Sequence, residues 1–598
     1  MSKKQDENKL LSFLNAKGAY QPRKIGKNRG FTFLANLTGR PQVWKIDESG
    51  EVSAFHELKD RVLQVYHSPS GEHTILASDF EGNEKQQFYL TSDKGNTIEE
   101  LVLSPEHFHQ FGGWSPDGSK ITYASNRRNP GYFDIFTLDI ETKEEVTVFE
   151  SETNCTPLIW TADGKGIIFS YAVSNIDNQL HILNLESGKT TPIGNVNVPA
   201  RYHSVQITKD NMSGYVVTDE GRDTLAIAKF DLEKPNLLEF IYKSEQWDIE
   251  EVKISVDEQY LAFSLNEGGS SQLGIYSLEK NAVTNIKDVP VGVYQSLQWI
   301  NDRELLVGVT SSTLPGDIWK VDIIDDESER LTHIGESPEV GHLWMEPEVC
   351  HFSSFDGLEV PYFLYGEKRT NQPVMIYVHG GPESQIRNEY NPVIQYLAAL
   401  GYTIAAPNVR GSMGYGRKYV QLDDIRKRMD AVADLNYLVK DLVSTHQTDR
   451  DRVGIMGRSY GGFMVLAAIT HYPKVWAAAV DIVGISHFRT FLENTGPWRR
   501  RLREQEYGSL EHDSDFFEEI APLNHTEKIQ VPLLIFHGKN DTRVPVSEAE
   551  QLTKDLESQG KDVELIIFED EGHQTEKLEN HVLMNKKTVE FMDQWLDK

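Results

Sequence analysis

The residues best suited to chemistry in this chain are Gly457-Arg458-Ser459-Tyr460-Gly461, a G-x-S-x-G pentapeptide. A serine hydroxyl is a weak nucleophile. It attacks a carbonyl carbon only when held exposed beside a base, with a helix N-terminus near enough to stabilise the developing negative charge. The flanks of the pentapeptide supply that setting. The apolar run Val453-Gly454-Ile455-Met456 predicts a strand before it and Phe463-Met464-Val465-Leu466-Ala467-Ala468 predicts a helix after it, so Ser459 falls on a sharp strand-to-helix turn, a nucleophile elbow. Glycines on both sides, lacking Cβ atoms, let strand and helix approach closely and let Ser459 take a strained backbone.

Acyl transfer at such a serine needs an oxyanion hole, a base and a group that orients the base. After the predicted strand 374–378 comes His379-Gly380-Gly381-Pro382, where the Gly381 N–H is expected to join that of Tyr460 in binding the oxyanion, with His379 positioning the loop. Asp541 follows the predicted strand 533–536, and His573 follows 565–568. In the order Ser, Asp, His these match the triad of hydrolases that carry this elbow: His573 takes the Ser459 proton and Asp541 fixes the imidazole tautomer. Other carboxylates compete for the orienting role, but Asp570 and Glu571 lie too close to His573 along the chain and Asp481 follows an earlier strand. His537 and His581 are the rival bases, one opening the Asp541 loop and the other expected on the final helix. No His/Cys cluster has metal-ligand spacing and no phosphate-binding loop precedes a helix, so neither metal nor organic cofactor is expected.

The elements that position these residues are of two textures. From about Glu348 onward apolar strands alternate with helical patterns, which predicts βαβ units and a largely parallel sheet, an α/β hydrolase domain with its chemistry beyond the carboxyl ends of the strands. Between about Gly30 and Thr332 one unit recurs instead, marked by Trp114-Ser115-Pro116-Asp117-Gly118, Trp160-Thr161-Ala162-Asp163-Gly164, Ile207-Thr208-Lys209-Asp210, Ile254-Ser255-Val256-Asp257 and Trp299-Ile300-Asn301-Asp302. The aspartates step by 46, 47, 47 and 45 residues, and two earlier copies bring the count to seven. A four-stranded sheet of that length cannot bury both faces alone, so the units are expected to stack radially as a seven-bladed β-propeller. The repeated tryptophans then read as packing between blades, and the Asp-Gly pairs as hairpin turns.

At 598 residues the chain exceeds one ordinary core. With 60 basic against 91 acidic side chains its net charge is −31, which disfavours nucleic acid or an anionic membrane as partner. No stretch approaches the ~20 apolar residues needed to span a bilayer. Only Cys155 and Cys350 are present, poor material for a disulfide framework; with no signal-peptide pattern at the N-terminus, a reducing cytoplasm is the expected location.

A seven-bladed propeller ahead of His379-Gly380-Gly381-Pro382, Asn408-Val409-Arg410-Gly411-Ser412-Met413-Gly414-Tyr415-Gly416 and Gly457-Arg458-Ser459-Tyr460-Gly461-Gly462-Phe463 resembles the prolyl oligopeptidase family of serine peptidases, and most nearly its acylaminoacyl peptidases. The resemblance spans essentially the whole chain. It implies hydrolysis of short peptides or N-acylated amino-acid derivatives, a propeller acting as a size filter, homodimers or higher oligomers, and a short N-terminal helix that residues 8–16 would suit. The expected domains are 1–20 for that helix, docked on the hydrolase domain or a partner subunit, 21–340 for the propeller and 341–598 for the hydrolase. The run Trp498-Arg499-Arg500-Arg501-Leu502-Arg503 lies where relatives place an arginine that holds a substrate carbonyl, with Arg499 the candidate and a solvated basic helix face the alternative. Phe488, Phe491 and Trp498 are candidates for the substrate pocket, ordinary core packing being the alternative. Residues 421–434 depart from the family pattern. Within the family a dipeptidyl peptidase or oligopeptidase is the rival, Glu250 and Glu251 faintly resembling paired amine-binding glutamates; outside peptide chemistry the rival is a carboxylesterase.

Overall fold

Four of the aspartates that mark the repeat close a turn through the side chain, and in the last copy Asn301 does so in place of Asp302, accepting the N–H groups of Arg303 and Glu304. Ser115 Oγ donates to Asp117 at 2.6 Å, Thr161 Oγ1 to Asp163 at 2.7 Å, Thr208 Oγ1 to Asp210 at 2.6 Å and Ser255 Oγ to Asp257 at 2.6 Å. The computed structural model describes residues 3–26, 30–47, 49–92, 95–366 and 372–596. In it the chain divides into two units, residues 17–336 and residues 1–16 with 337–598.

Among the described residues of the first unit the strands form seven four-stranded antiparallel sheets, spanning 19–56, 62–102, 109–149, 155–193, 202–242, 248–286 and 293–330. Each sheet takes four consecutive strands, the topology of a seven-bladed β-propeller. In all seven the pairing of the first two strands slips at a β-bulge, as between Val62 and Gln64 or Tyr294 and Ser296, which adds twist at the first strand. The repeated tryptophans pin neighbouring sheets. Nε1 of Trp114, Trp160 and Trp299 donates to the carbonyl oxygens of Tyr66, Gly113 and Lys253, each on the first strand of the preceding sheet. The ring closes where strand Ala19–Lys24 packs on strands Val293–Trp299 and Leu314–Asp322, so close to the latter that a Cβ on Gly316 would meet Ala19 O at 2.8 Å. That opening strand lies ahead of the Gly30 start read from the sequence. Its residues, Ala19-Tyr20-Gln21-Pro22-Arg23-Lys24, carry no apolar alternation, and Gln21 sits in the left-handed region at φ 54°.

The second unit holds one eight-stranded sheet: β1 Glu348–Ser353, β2 Glu359–Tyr365, β3 Val374–Val378, β4 Thr403–Pro407, β5 Val453–Arg458, β6 Ala478–Ile482, β7 Leu533–Gly538 and β8 Val563–Phe568, in the order β1-β2-β4-β3-β5-β6-β7-β8. Strands β3 to β8 run parallel, and β1 with β2 forms an antiparallel edge that the sequence reading did not include. Around it lie α1 Lys3–Leu14, α2 Pro392–Ala399, α3 Arg428–Thr445, α4 Tyr460–His471, α5 Pro497–Tyr507, α6 Ser547–Ser558 and α7 Leu578–Leu596. Because strand side chains alternate, Ile376, Ile455, Ala479 and Ile535 join Leu435 and Leu466 in one core, while Met375, Met456, Val480 and Leu534 join Ile394 and Met592 in the other. Both faces are covered, and the carboxyl ends of β3, β5, β7 and β8 share one edge of the unit.

Helix α1 begins at Lys3 rather than Asn8, since its first residues are good helix formers that lack apolar spacing. It packs on α2 and α7 of its own chain. Leu10 and Phe13 are fully buried there, the Phe13 and Tyr396 rings lie 5.7 Å apart, and Lys9 Nζ donates to Ala399 O at 3.0 Å. Cys155 and Cys350 are both free thiols, one in each unit. Among the described residues no helix is long and apolar enough to cross a membrane. Truncating Phe13 to Ala removes a ring from a closed cluster and is expected to cost about 3–5 kcal/mol. A thermal melt followed by circular dichroism should show a lowered midpoint; an unchanged midpoint would mean that α1 is not held where the structure places it.

Candidate active site

Ser459 follows the last residue of β5 with φ 60° and ψ −119°, a conformation that side chains avoid, and its N–H donates to Ile482 O on β6 at 2.8 Å. The glycines are required by contact. A Cβ on Gly457 would meet Gly461 O at 2.4 Å, and one on Gly461 would meet Val378 O at 2.3 Å. Helix α4 starts at Tyr460, and the Ser459 side chain does not cap it, so the hydroxyl is not engaged there and the positive end of α4 lies at the serine.

The loop after β3 lies against this elbow, for a Cβ on Gly380 would fall 3.5 Å from Ser459 Cβ. Gly381 is left-handed at φ 129° and its carbonyl accepts from Arg503 Nη1 and Tyr507 OH, each at 3.3 Å. His379 is buried within the loop, Nδ1 2.7 Å from Gly380 O and Nε2 2.8 Å from Ser412 Oγ. It holds the loop and is not among the residues that line the pocket beside Ser459.

Past β7, Asp541 Oδ1 accepts the backbone N–H groups of Arg543 at 2.8 Å and Val544 at 3.0 Å, while Oδ2 lies 2.7 Å from His573 Nδ1. That contact places a proton on Nδ1 and leaves the Nε2 lone pair as the proton acceptor. Burial pushes the Asp541 carboxyl up, but His573 by charge and hydrogen bond, His537 and the Val544 N–H more than offset it, leaving the group below the usual carboxylate range. Burial lowers His573 below an ordinary imidazole, against the pull of Asp541 and with Arg543 and Arg458 acting in the same direction as burial. The imidazole is thus a base that stays neutral near neutral pH.

The rivals fall elsewhere. His537 Nε2 is 2.9 Å from Val544 O and 3.7 Å from Asp541 Oδ2, behind the acid. His581, on α7, is pushed down to about 4 by burial and Arg458. Glu571 accepts the N–H groups of Glu576 and Lys577, and Asp570 pairs with Lys577. Asp481 is buried against Gly462 and Gly484, and burial raises it to about 7.

A pocket beside Ser459 is walled by Gly381, Ile485, Phe491, Arg499, Tyr507 and Arg543, with Arg503 among its other residues. Of the sequence-derived pocket candidates, Phe491 and Arg499 line it; Phe488 and Trp498 do not. Phe488 is buried among Phe463, Tyr507 and Phe517, and Trp498 lies under the Arg499 guanidinium at 4.5 Å. Sequence reasoning passed over Arg503, Tyr507 and Arg543. Arg499, Arg503 and Tyr507 repeat every four residues on α5 and so share one face, and Arg543 stands two residues after the acid. One wall is anchored by Glu548 on α6, fully buried, whose carboxylate accepts the N–H groups of Ser486 at 3.0 Å and His487 at 2.9 Å and the Thr490 hydroxyl at 2.5 Å.

Residues 421–434, where the sequence departs from the family pattern, hold Arg428, buried at 1% exposure and donating to Asp423, Glu506 and the Tyr460 hydroxyl. Asp423, Asp424 and Glu506 are the one carboxylate group, among the described residues, close enough to share a cation, and the Arg428 guanidinium is already bonded to two of them.

Comparison with known proteins fits this geometry. Residues 57–333 match the model of the prolyl oligopeptidase N-terminal β-propeller domain, and residues 388–598 match that of the prolyl oligopeptidase family. Dipeptidyl aminopeptidase BIII of Pseudoxanthomonas mexicana is 34% identical over 229 residues, 38% of this chain and 33% of that protein. An acylamino-acid-releasing enzyme of Arabidopsis thaliana is 28% identical over 230 residues, 36% of this chain and 30% of the relative. The match therefore spans about a third of the length of each of these relatives. A structure solved in a study of two prolyl endopeptidases superposes with a TM-score of 0.88 at 19% identity, over 100% of this chain and 92% of the other, a likeness of fold. One family model falls in each unit, and the chain belongs to the prolyl oligopeptidase family of serine peptidases.

Proposed function

We propose that this peptidase acts on short peptides and releases N-acylated residues from their N-termini through an acyl-enzyme on Ser459. In this reading His573 accepts the Ser459 proton as Oγ attacks the scissile carbonyl carbon, and the N–H groups of Tyr460 and Gly381 stabilise the oxyanion. The C–N bond then breaks as His573 passes that proton to the leaving amine, and water releases the acyl group by the same steps in reverse roles. Asp541 holds the imidazole tautomer and stabilises the imidazolium.

The observation that carries the acyl preference is the charge of the pocket. Arg499, Arg503 and Arg543 bring guanidinium groups to it, and although Arg503 is paired with Glu383 at 3.1 Å, among the described residues lining the pocket there is no carboxylate. Such a wall favours carbonyl oxygens and repels a free α-ammonium. An acylated N-terminus offers the first and lacks the second. Similarity to a dipeptidyl aminopeptidase supports a second reading, in which a free amine is bound. That amine needs carboxylates, and the two raised by the sequence are engaged within the propeller. Glu250 accepts from Ser271 Oγ at 3.0 Å, and Glu251 accepts from Leu297 N at 3.0 Å and pairs with Lys253 at 3.1 Å.

Four outcomes test the proposal. Ser459→Ala should lose turnover of acetyl-aminoacyl anilides by about 10³-fold or more while melting like the wild type; turnover at the wild-type level would remove Ser459 from the chemistry. Acetylated anilides and peptides should be cleaved in preference to their free-amine counterparts, and the opposite preference would favour the dipeptidyl reading; a large excess of ester over anilide hydrolysis would favour a carboxylesterase. Because the base must be neutral and its environment lowers its pKa, kcat/KM should rise with pH along a limb centred below the ordinary imidazole value of about 6.5. A limb centred at or above that ordinary value would contradict the lowered pKa of His573. Arg543→Ala should raise KM for acetylated substrates by about tenfold, the size of a lost charge-assisted hydrogen bond; an unchanged KM would mean that substrate does not meet this wall.

A further inference from the structure

Arg458, the residue between the first glycine of the elbow and its serine, has no part in the steps above. It nonetheless joins two parts of the site. Its side chain leaves the end of β5 toward the loop that carries His573. Nη1 donates to the His573 carbonyl oxygen at 2.8 Å, and Nη2 lies 3.5 Å from Thr575 Oγ1 and 4.0 Å from Met584 Sδ. Among the described residues its guanidinium is paired with no carboxylate. The side chain is half-buried, and its desolvation outweighs the pull of the Asp541 and Glu571 carboxylates, neither of which forms an ion pair with it, so stability alone gives no reason for the contact. Geometry gives one. Adjacent Cα atoms are held about 3.8 Å apart, so a group on residue 458 cannot move relative to Ser459 by more than its own side-chain freedom, and that freedom ends at the His573 peptide.

We propose that Arg458 is a positioning residue for His573: by holding the carbonyl of the base's own peptide from the residue next to the nucleophile, it makes Ser459 and His573 move as one body. Its charge adds a second effect. The groups acting on His573 are the Asp541 carboxylate, which favours the imidazolium, and the Arg458 and Arg543 guanidinium groups, which disfavour it. His537 lies behind Asp541, and His581 on α7 is held neutral by burial and by Arg458 itself. Arg458 thus helps keep the imidazole in its proton-accepting form as pH falls.

The inference rests on His573 being the base, and the test separates the two. Arg458→Met, Arg458→Gln and His573→Ala are assayed as full-length protein for kcat and KM from pH 5 to 9, with thermal melts to establish folding. Arg458→Met should lower kcat about tenfold or more with KM little changed, and should move the acid limb to higher pH by about half a unit, because removing a nearby cation makes the imidazolium easier to form. Arg458→Gln, which keeps a donor for the carbonyl but no charge, should recover part of kcat and show the same displaced limb. Wild-type kcat with an unmoved limb in the Met variant overturns the proposal. Should that variant fail to fold, the Gln variant decides by its limb, displaced in support or unmoved against. Activity retained in His573→Ala removes the base assignment and this inference with it, whereas an inactive His573→Ala beside unaltered Arg458 variants removes the inference alone.

Discussion

The structure of the catalytic unit depends on one steric condition, the absence of side chains where β3, β5 and α4 meet. Gly461 faces the carbonyl of Val378 and Gly457 faces that of Gly461, at distances that any Cβ would reduce to 2.3–2.4 Å. Only with those atoms missing can α4 descend onto the sheet and bring its first N–H groups to the serine. Ser459 bears the cost as a strained backbone, of order 1–3 kcal/mol. The strain is offset by what the close approach permits. Residues 463–469 of α4 are all fully buried, and each large apolar side chain removed from water contributes about 1.5–3 kcal/mol. A helix apolar on every side can lie only in a core, so burial and strain are imposed together.

Positive charge does the rest of the positioning, in a protein whose net charge is −31. Two guanidinium groups grip backbone carbonyls: Arg503 that of Gly381, Arg458 that of His573. A third, Arg428, joins Asp423, Glu506 and the Tyr460 hydroxyl, so the residue that follows the serine is held by its ring as well as by its helix. Arginine suits these places because its fork of donors stays charged when buried and reaches two or three acceptors from one stem. Arg503 also lines the pocket with Arg499 and Arg543, and Arg543 and Arg458 lower the affinity of the base for a proton.

Much of this was legible because it is local. The repeat of 45–47 residues shows through its Asp turns, and these turns are built from residues two apart in sequence. The elbow is legible because a strand, a serine between glycines and an apolar helix are contiguous. Asp541 and His573 could be paired through strand order, each following an apolar run. Less legible were elements whose residues carry no pattern of their own. Strand Ala19–Lys24 is polar and bulged and gains its place by packing on the seventh sheet. The edge strands β1 and β2 lie outside the βαβ rhythm by which the others were found.

The sequence by itself determined the chemistry available, a serine nucleophile with an acid and a base in hydrolase order, together with the two architectures that frame it, because periodicity and turn residues act over short stretches of chain. The tertiary structure alone decided which side chains share the pocket. Phe488 and Trp498 stand near Phe491 and Arg499 in sequence, yet only the latter two line it, since helical rotation turns neighbours to different faces. Arg543, more than forty residues away along the chain, meets Arg499 there because parallel strands deliver their carboxyl ends to one edge of the sheet. The 2.7 Å contact of His573 with Asp541 and the hold of Arg458 on His573 are of the same kind, since residues 458, 541 and 573 meet only once β5, β7 and β8 are set in their sheet.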